Sequence, residues 1–178
     1  MSPELEVLSS SPLMHGMGEE ELGSILSTME RRIYEVGDRI VEEGRPSDCL
    51  FILADGVVDV VKGEGDQAVL PKTLDERGDF FGEMALIDIL PRSANVYASG
   101  ETRILAFPKQ VLTTLFSRVP RVQMTLVLNI ARNLSLRLRE ADTLYSRAFA
   151  RKLRNGSRNR RQKYPFARLA AFSQIGGG

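Results

Sequence analysis

The stretch FGEMALIDILPRSANV, residues 81–96, places a glycine, an acid and an arginine around a segment too short for a long helix. Gly82 follows the turn pair Gly78-Asp79, and residues 91–96 lead back into a strand. Between them, residues 84–89 can form only one or two helical turns. Gly82 lacks the side chain that would block close approach to the backbone. The pattern therefore predicts a short helix between two strands, open to a ligand.

The side chains around this segment suit the two ends of a ribose phosphate. N–H groups at the start of a short helix attract a phosphate. The Arg92 guanidinium adds a charge-assisted contact that can be bidentate, and the Ser93 hydroxyl supplies one further donor. The Glu83 carboxylate can accept hydrogen bonds from a vicinal sugar hydroxyl. Because a carboxylate repels a phosphate, we expect Glu83 and Arg92 to address opposite ends of the ligand.

Short apolar runs surround this segment and are separated by glycine and aspartate turns. They occur at intervals of about ten residues, which is typical of an all-β sandwich, barrel or roll. The dipeptide Asp55-Gly56 is the strongest hairpin signal. The predicted strands are residues 34–36, 39–41, 50–53, 57–61, 69–74, 94–98 and 103–107.

Apolar residues at helical spacing flank the strands on both sides. Residues 18–31 begin with acidic residues, which favour a helix start, and continue with a periodic apolar face. Residues 108–116 and 118–145 are also predicted helices, with Pro120 in a tolerated first-turn position. A helix of about 25 residues is about 37 Å long, more than a small roll needs for cover. The apolar stripe of the last helix consists of Val122, Leu126, Ile130, Leu134, Leu138 and Ala141.

The quoted stretch closely resembles the phosphate-binding cassette of cyclic nucleotide-binding domains, a family that includes the catabolite activator protein and protein kinase A regulatory subunits. The glycine-punctuated strands are similar to the β-roll of that family, so the resemblance covers residues 13–145. It implies a mainly β fold with flanking helices. In that fold a double-stranded, jelly-roll-like β-roll carries a short phosphate-cassette helix and a long C-terminal helix.

The resemblance also implies roles for individual residues. Glu83 resembles the acceptor of the ribose 2′-hydroxyl, Arg92 the phosphate partner, and Ser93 an accessory contact to the phosphate or base. Backbone N–H groups of Ala85 and Leu86 are similar to further phosphate donors of the family. The implied ligand-binding residues are Phe81, Gly82, Glu83, Met84, Ala85, Leu86, Pro91, Arg92, Ser93, Ala94 and Arg137.

The ligand implied by the resemblance is cAMP, with cGMP as the alternative and no cofactor. Ser93 lies where family members with a hydroxyl can contact guanine, and Asn95 lies where threonine is common. Arg137 resembles helix residues that reach toward the purine in relatives, but a solvated helix face explains it equally well. The alternative for the whole cassette is a vestigial pocket whose arginine only pairs with its acid.

The patterns divide the chain into three parts. Residues 1–17 form an N-terminal lead, and residues 18–145 form the binding domain, with the roll at about 33–107 and C-terminal helices at about 108–145. Residues 146–178 form a basic tail, since all 23 acidic residues precede it, and the final Gly-Gly-Gly leads us to expect disorder in this tail. No helix-turn-helix is recognisable in the tail, so nucleic acid is not expected as a partner of this chain.

The expected function is a sensor that converts capture of the nucleotide into movement of its C-terminal helix. The apolar stripe of helix 118–145 either forms a homodimer, as the resemblance implies, or only covers the roll. The alternative function is the sensor portion of a transcription regulator of the catabolite-activator type.

Metal centres and catalysis are poorly supplied by this composition. The chain has one histidine, His15, and one cysteine, Cys49, so neither a metal site nor a hydrolytic enzyme such as a phosphodiesterase is expected. Cys49 precedes an apolar run and is predicted to be a small buried side chain. No apolar run of about 18 residues or more and no signal peptide is present, so we expect a cytoplasmic protein.

Overall fold

The described part of the chain consists of two antiparallel sheets and flanking helices. The structure is a computed structural model, which describes residues 2–46, 48–63, 65, 68–87 and 90–156. Its strands are β1 (Glu30–Tyr34), β2 (Arg39–Val41), β3 (Cys49–Asp55), β4 (Val58–Lys62), β5 (Val69–Leu74), β6 (Phe80–Phe81), β7 (Asn95–Ala98) and β8 (Thr102–Pro108). Its α-helices are α1 (Pro3–Ser10), α2 (Glu19–Leu26), α3 (Lys109–Arg118) and α4 (Pro120–Gly156), and its 3-10 helices are Pro12–Met14 and Glu83–Leu86.

The strands form two four-stranded sheets, with the orders β1-β8-β3-β6 and β2-β7-β4-β5. Every pairing is antiparallel, and neighbours such as β3 and β8 are distant in sequence. These crossovers are those of a jelly-roll-like β-roll. The predicted fold class, mainly β with flanking helices, is therefore confirmed.

Strand β3 separates two apolar clusters because its side chains alternate between the faces of its sheet. Leu50 and Ile52 belong to the cluster that contains the buried helix residues. Cys49, Phe51 and Leu53 belong to the cluster between the sheets. Burial on both faces explains why this strand reads as a continuous apolar run.

Two short strands differ from the sequence-based expectation. The first strand spans Glu30–Tyr34 instead of residues 34–36, and the preceding helix ends at Leu26 instead of residue 31. Pairing with β8, in which Glu30 lies opposite Ala106, gives this segment a partner that overrides its helical periodicity. The two-residue strand β6 was not predicted, because so short a strand has no period to detect.

The N-terminal lead contains helix α1 and a 3-10 helix that were not predicted from the sequence. The Ser2 hydroxyl caps α1 by accepting a hydrogen bond from the Leu5 N–H at 3.3 Å, and Pro3 occupies the first helical turn. Leu8 and Leu13 are fully buried in the same cluster as the first turns of α4. The serine-proline pair was the sequence signal for this helix.

Helix α4 is longer than predicted and its stripe is divided. Val122, Leu126 and Ile130 are buried in the core, so this part of the stripe covers the roll. Leu138, in the second compact unit of the chain (residues 135–178), is 62% exposed. Residues 146–156 are helical, which corrects the expectation of disorder there, and residues 157–178 lie outside the described residues. No helix in the described part of the chain is long and apolar enough to cross a membrane.

Asn129 connects the start of α4 to the N-terminal segment. Its side chain is 2% exposed, and its amide nitrogen donates to the carbonyl oxygens of Leu13 at 2.9 Å and His15 at 2.8 Å. One side chain therefore satisfies two carbonyl groups in and directly after the 3-10 helix Pro12–Met14. Such buried acceptors are costly when they lose their donor.

Replacing Asn129 with alanine should lower the free energy of unfolding by about 1–3 kcal/mol, because the two carbonyl groups lose their donor. The measurement is urea denaturation followed by circular dichroism. Gln123→Ala, at an exposed position on the same helix, is the control and should stay close to wild type. Equal stability of the two variants would contradict this role of Asn129.

Candidate functional site

The cassette begins where β6 pairs with β3. Phe81 lies opposite Phe51 in the ladder, and their rings stack with centroids 5.0 Å apart. The chain then turns at Gly82, whose φ of 77° lies in the left-handed region. A Cβ at this position would be 2.5 Å from the Arg92 Nη1 atom and 3.0 Å from the Cys49 carbonyl oxygen. Gly82 is therefore required both for the turn and for the space beside Arg92.

The cassette helix is a 3-10 helix, Glu83–Leu86, rather than one or two turns over residues 84–89. The Ile87 N–H donates to the Met84 carbonyl oxygen at 3.0 Å and closes its last turn. Residues 88 and 89 lie outside the described residues. The tighter helix starts directly at Glu83, so the carboxylate follows the left-handed glycine without a spacer.

Arg92 is a buried cation held by backbone and ring contacts. Its side chain is 7% exposed, and its Nη2 atom donates to the Cys49 carbonyl oxygen at 2.7 Å and to Asp48 Oδ1 at 3.3 Å. The Nη1 atom donates to the Gly82 carbonyl oxygen at 3.5 Å. The guanidinium carbon lies 5.4 Å from the centroid of the Phe51 ring, within the range of a cation–π contact. These contacts hold the guanidinium at the base of the cassette.

Opposing electrostatic effects act on this cation. Burial lowers the pKa of the Arg92 guanidinium from its ordinary value, whereas the negative charges of Asp48 and Glu83 act to raise that pKa. A guanidinium stays charged in proteins. Glu83, itself 4% exposed, is thus close enough to Arg92 for their charges to interact. The site therefore combines one buried positive charge with the carboxylates of Asp48 and Glu83.

The remaining cassette residues form the rim of the site. Met84 is 40% exposed, and Pro91 and Ser93 are also exposed. Leu86 and Ala94 are partly buried, and Leu86 packs against the helical core cluster. Buried charges at the base and exposed side chains at the rim are the arrangement expected of a site that a small polar ligand enters from solvent.

Arg137 is the one predicted contact that lies in the second compact unit, on α4. Its approach to a purine stays a prediction. Sequence reasoning also missed Asp48 and Phe51, which contact the guanidinium. The signal for Asp48 was an acid in a turn directly before a buried strand. The Cys49 carbonyl has no sequence signal, because a backbone oxygen is common to all residues.

Cys49 has a packing role, as predicted. Its side chain is 4% exposed, and burial raises the pKa of its thiol, which favours the neutral and unreactive form. Among the described residues, no group of three or more histidine, cysteine or acidic side chains could hold a metal ion.

A groove of about 380 Å³ adjoins the far end of the cassette helix. It is bordered by Leu86 of the cassette, by Phe116 and other residues of α3, and by Gln123 of α4. Leu86 and Phe116 also pack against the same core cluster. Between the two helices, Val119 departs from helical geometry with φ −132° and ψ 78°. The cassette thus adjoins a helix pair that is interrupted at one residue.

Comparison with known proteins agrees with this geometry. The sequence profile of the cyclic nucleotide-binding domain matches residues 31–119, which contain the complete cassette. The chain belongs to the cyclic nucleotide-binding domain family. The β-roll, the short helix after Gly82 and the buried Arg92 are therefore the parts of a nucleotide-binding domain.

Individual relatives match different shares of the chain. The cyclic AMP receptor protein of Thermus thermophilus is 36% identical over 137 residues, which make up 76% of this chain and 61% of that protein. The cGMP-dependent protein kinase 2 of Homo sapiens is 43% identical over 93 residues, 51% of this chain and 12% of the kinase. The crystal structure of the Thermus thermophilus catabolite activator protein superposes with a TM-score of 0.70 at 34% identity, covering 82% of this chain and 66% of that one. The chain thus spans less than two thirds of each of these relatives.

Replacing Gly82 with alanine should weaken cyclic nucleotide binding and also destabilise the fold. The left-handed backbone costs alanine about 1–2 kcal/mol, and the added methyl group displaces the Arg92 guanidinium. Thermal unfolding and titration with nucleotide measure the two effects. Gly100→Ala is the control, because a Cβ there meets nothing within 4 Å. Wild-type affinity in Gly82→Ala would show that the position of Arg92 is not critical.

Proposed function

We propose that this chain is a sensor that binds one cAMP molecule, without a catalytic step of its own. The observation that carries the proposal is the buried Arg92 cation, held below a cassette helix whose first residue is the buried acid Glu83. A cyclic phosphodiester needs a fixed positive charge, and the ribose 2′-hydroxyl needs an acceptor. The two side chains supply these two chemistries within one short segment.

The matches to relatives favour cAMP as the ligand, whereas Ser93 is an argument for cGMP. The relative that is named for cyclic AMP matches 76% of this chain, whereas the match to the cGMP-dependent kinase covers 51% at higher identity. Ser93 is exposed beside Arg92, where a hydroxyl can contact guanine. The match to the cyclic AMP receptor protein covers the larger share of this chain, and on that basis cAMP is the proposed ligand.

Isothermal titration with cAMP and with cGMP tests the proposal directly. We expect one site per chain and tighter binding of cAMP. Arg92→Leu should weaken binding by about 2–5 kcal/mol, because the buried phosphate loses its charged partner. Arg103→Leu is the matched control, since Arg103 is an exposed arginine on β8 that pairs with Glu101.

The outcomes separate the parts of the proposal. Tighter binding of cGMP than of cAMP would change the identity of the proposed ligand but would still support the proposed site. Wild-type affinity in Arg92→Leu would remove this arginine from its role. Absence of binding of either nucleotide to the folded chain would make the pocket vestigial and refute the sensor function.

The proposed output is movement of α4 relative to the roll. Leu86 on the cassette helix and Phe116 on α3 border the same groove, so a shift of the cassette on binding changes the packing of α3. Val119 interrupts the helices and provides the point at which they can reorient. Such a shift needs different ligand affinities in the two arrangements.

We further propose that residues 135–156 of α4 form a homodimer. The buried part of the stripe ends before this segment, which belongs to the second compact unit. Several large apolar side chains in it are exposed by 46–73%, a density unusual for a solvated helix. They are Leu136, Leu138, Leu144, Tyr145 and Phe149.

Leu138→Asp should weaken self-association by about 2 kcal/mol or more, since a charge would replace an apolar contact at the interface. Sedimentation equilibrium measures the change. Thr143→Asp is the control, because Thr143 is an exposed polar residue of the same helix whose hydroxyl donates to the Arg139 carbonyl oxygen. A wild-type chain that is monomeric throughout the concentration range would exclude the homodimer.

A further inference from the structure

A charged cluster outside the ligand-contacting residues joins three segments next to the cassette. We call Glu43, Lys62 and Asn95 the anchor cluster. Lys62 Nζ donates to Glu43 Oε1 at 2.5 Å and to the Ser93 carbonyl oxygen at 2.5 Å. The ammonium at the end of β4 thus connects the loop after β2 with the end of the cassette.

Further hydrogen bonds of Glu43 and Asn95 complete the cluster. The Glu43 Oε2 atom accepts a hydrogen bond from the Gly63 N–H at 2.9 Å. Asn95 is fully buried at the start of β7, and its Oδ1 atom accepts from the Glu43 N–H at 2.9 Å. Its amide nitrogen donates to the Gly63 carbonyl oxygen at 3.5 Å. The side chain and the backbone N–H of Glu43 are therefore both fixed.

The loop fixed by this cluster also holds the backbone of Arg92. The Arg92 N–H donates to the Arg45 carbonyl oxygen at 2.8 Å, and the Gly44 N–H donates to the Arg92 carbonyl oxygen at 2.9 Å. Ser93, whose carbonyl oxygen accepts from Lys62, is the next residue. The peptide groups on both sides of the Arg92 Cα atom therefore depend on the loop that Glu43 anchors.

The Glu43–Lys62 ion pair is better suited to positioning the loop than to stabilising the fold. The Lys62 side chain is 59% exposed and that of Glu43 is 28% exposed, and exposed ion pairs contribute little to folding. The hydrogen bond from Lys62 is the main cause that lowers the pKa of Glu43, so this carboxylate is ionised at neutral pH. Lys62 Nζ contacts both the Glu43 carboxylate and the Ser93 carbonyl oxygen. These charge-assisted contacts therefore restrict the positions of both groups relative to β4.

We propose that Glu43, Lys62 and Asn95 are positioning residues that set the backbone of Arg92 for the phosphate of the bound nucleotide. The inference rests on the proposed function, since it concerns the same site. None of the three side chains needs to contact the ligand for this role. They act through the loop at residues 42–46 and through the Ser93 carbonyl group.

The test compares cAMP affinity with stability and with the exchange of two amide protons. Lys62→Met should weaken binding about fivefold, while Lys62→Arg should recover most of the loss because it keeps the charge. Lys72→Met is the control, because Lys72 is an exposed lysine on the neighbouring strand β5. In the ligand-free chain, Lys62→Met should speed exchange of the Gly44 and Arg92 amide protons. Its thermal unfolding temperature should equal that of Lys72→Met.

A double variant and the ligand-free measurement make the outcomes decisive. Because Glu43→Gln keeps an oxygen acceptor for the Gly63 N–H and removes only the charge that pairs with Lys62, Glu43→Gln combined with Lys62→Met should bind no more weakly than Lys62→Met alone. The proposal would be overturned if the loss of cAMP affinity in the double variant equalled the product of the two single losses. It would also be overturned if Lys62→Met bound cAMP as tightly as wild type. If the wild-type chain binds neither cyclic nucleotide, the proposed function fails, and unchanged exchange at Gly44 and Arg92 in Lys62→Met overturns the positioning role separately.

Discussion

The site depends on the burial of one cation. A guanidinium removed from water needs hydrogen-bond acceptors and opposite charge, or it destabilises the fold. Arg92 obtains them from the Cys49 and Gly82 carbonyl groups, from Asp48 and from the face of Phe51. Asp48 is 83% exposed while Arg92 is 7% exposed, so the backbone carbonyl of Cys49 is the better-shielded partner. The roll thus fixes this charge at the base of the cassette.

The buried cation also explains why the cassette follows a paired strand rather than a free loop. Gly82 can offer its carbonyl to Arg92 only because β6 registers Phe81 against Phe51. The same strand β3 presents Leu50 and Ile52 to the helical cluster on its other face. Leu86 of the cassette helix reaches that second cluster. Phe81 at the start of the cassette belongs to the cluster between the sheets, so the cassette contacts both cores of the domain.

The sequence predicted what depends on local pattern. The β-roll and the boundaries of β2 and β5 follow from turn residues and apolar runs, whereas α4 begins at Pro120, two residues after the predicted start at residue 118. The contact between Arg92 and Cys49 joins residues 43 positions apart and uses a backbone oxygen, so no side-chain pattern could indicate it. Helix α1 was missed, although Ser2 and Pro3 mark its start. The roles of the ligand-contacting residues stay predictions.

Helix α4 shows the limit of a periodic pattern. A stripe at spacing three to four identifies one face of a helix, but it does not identify what covers that face. Val122, Leu126 and Ile130 are covered by the chain itself, whereas Leu138 continues the same spacing and is exposed. The difference lies in the partners: Leu8 and Leu13 of the N-terminal segment pack in the same cluster as the first three residues. The first part of the stripe thus packs with the N-terminal segment and the roll, which is the second of the two alternatives that the sequence left open.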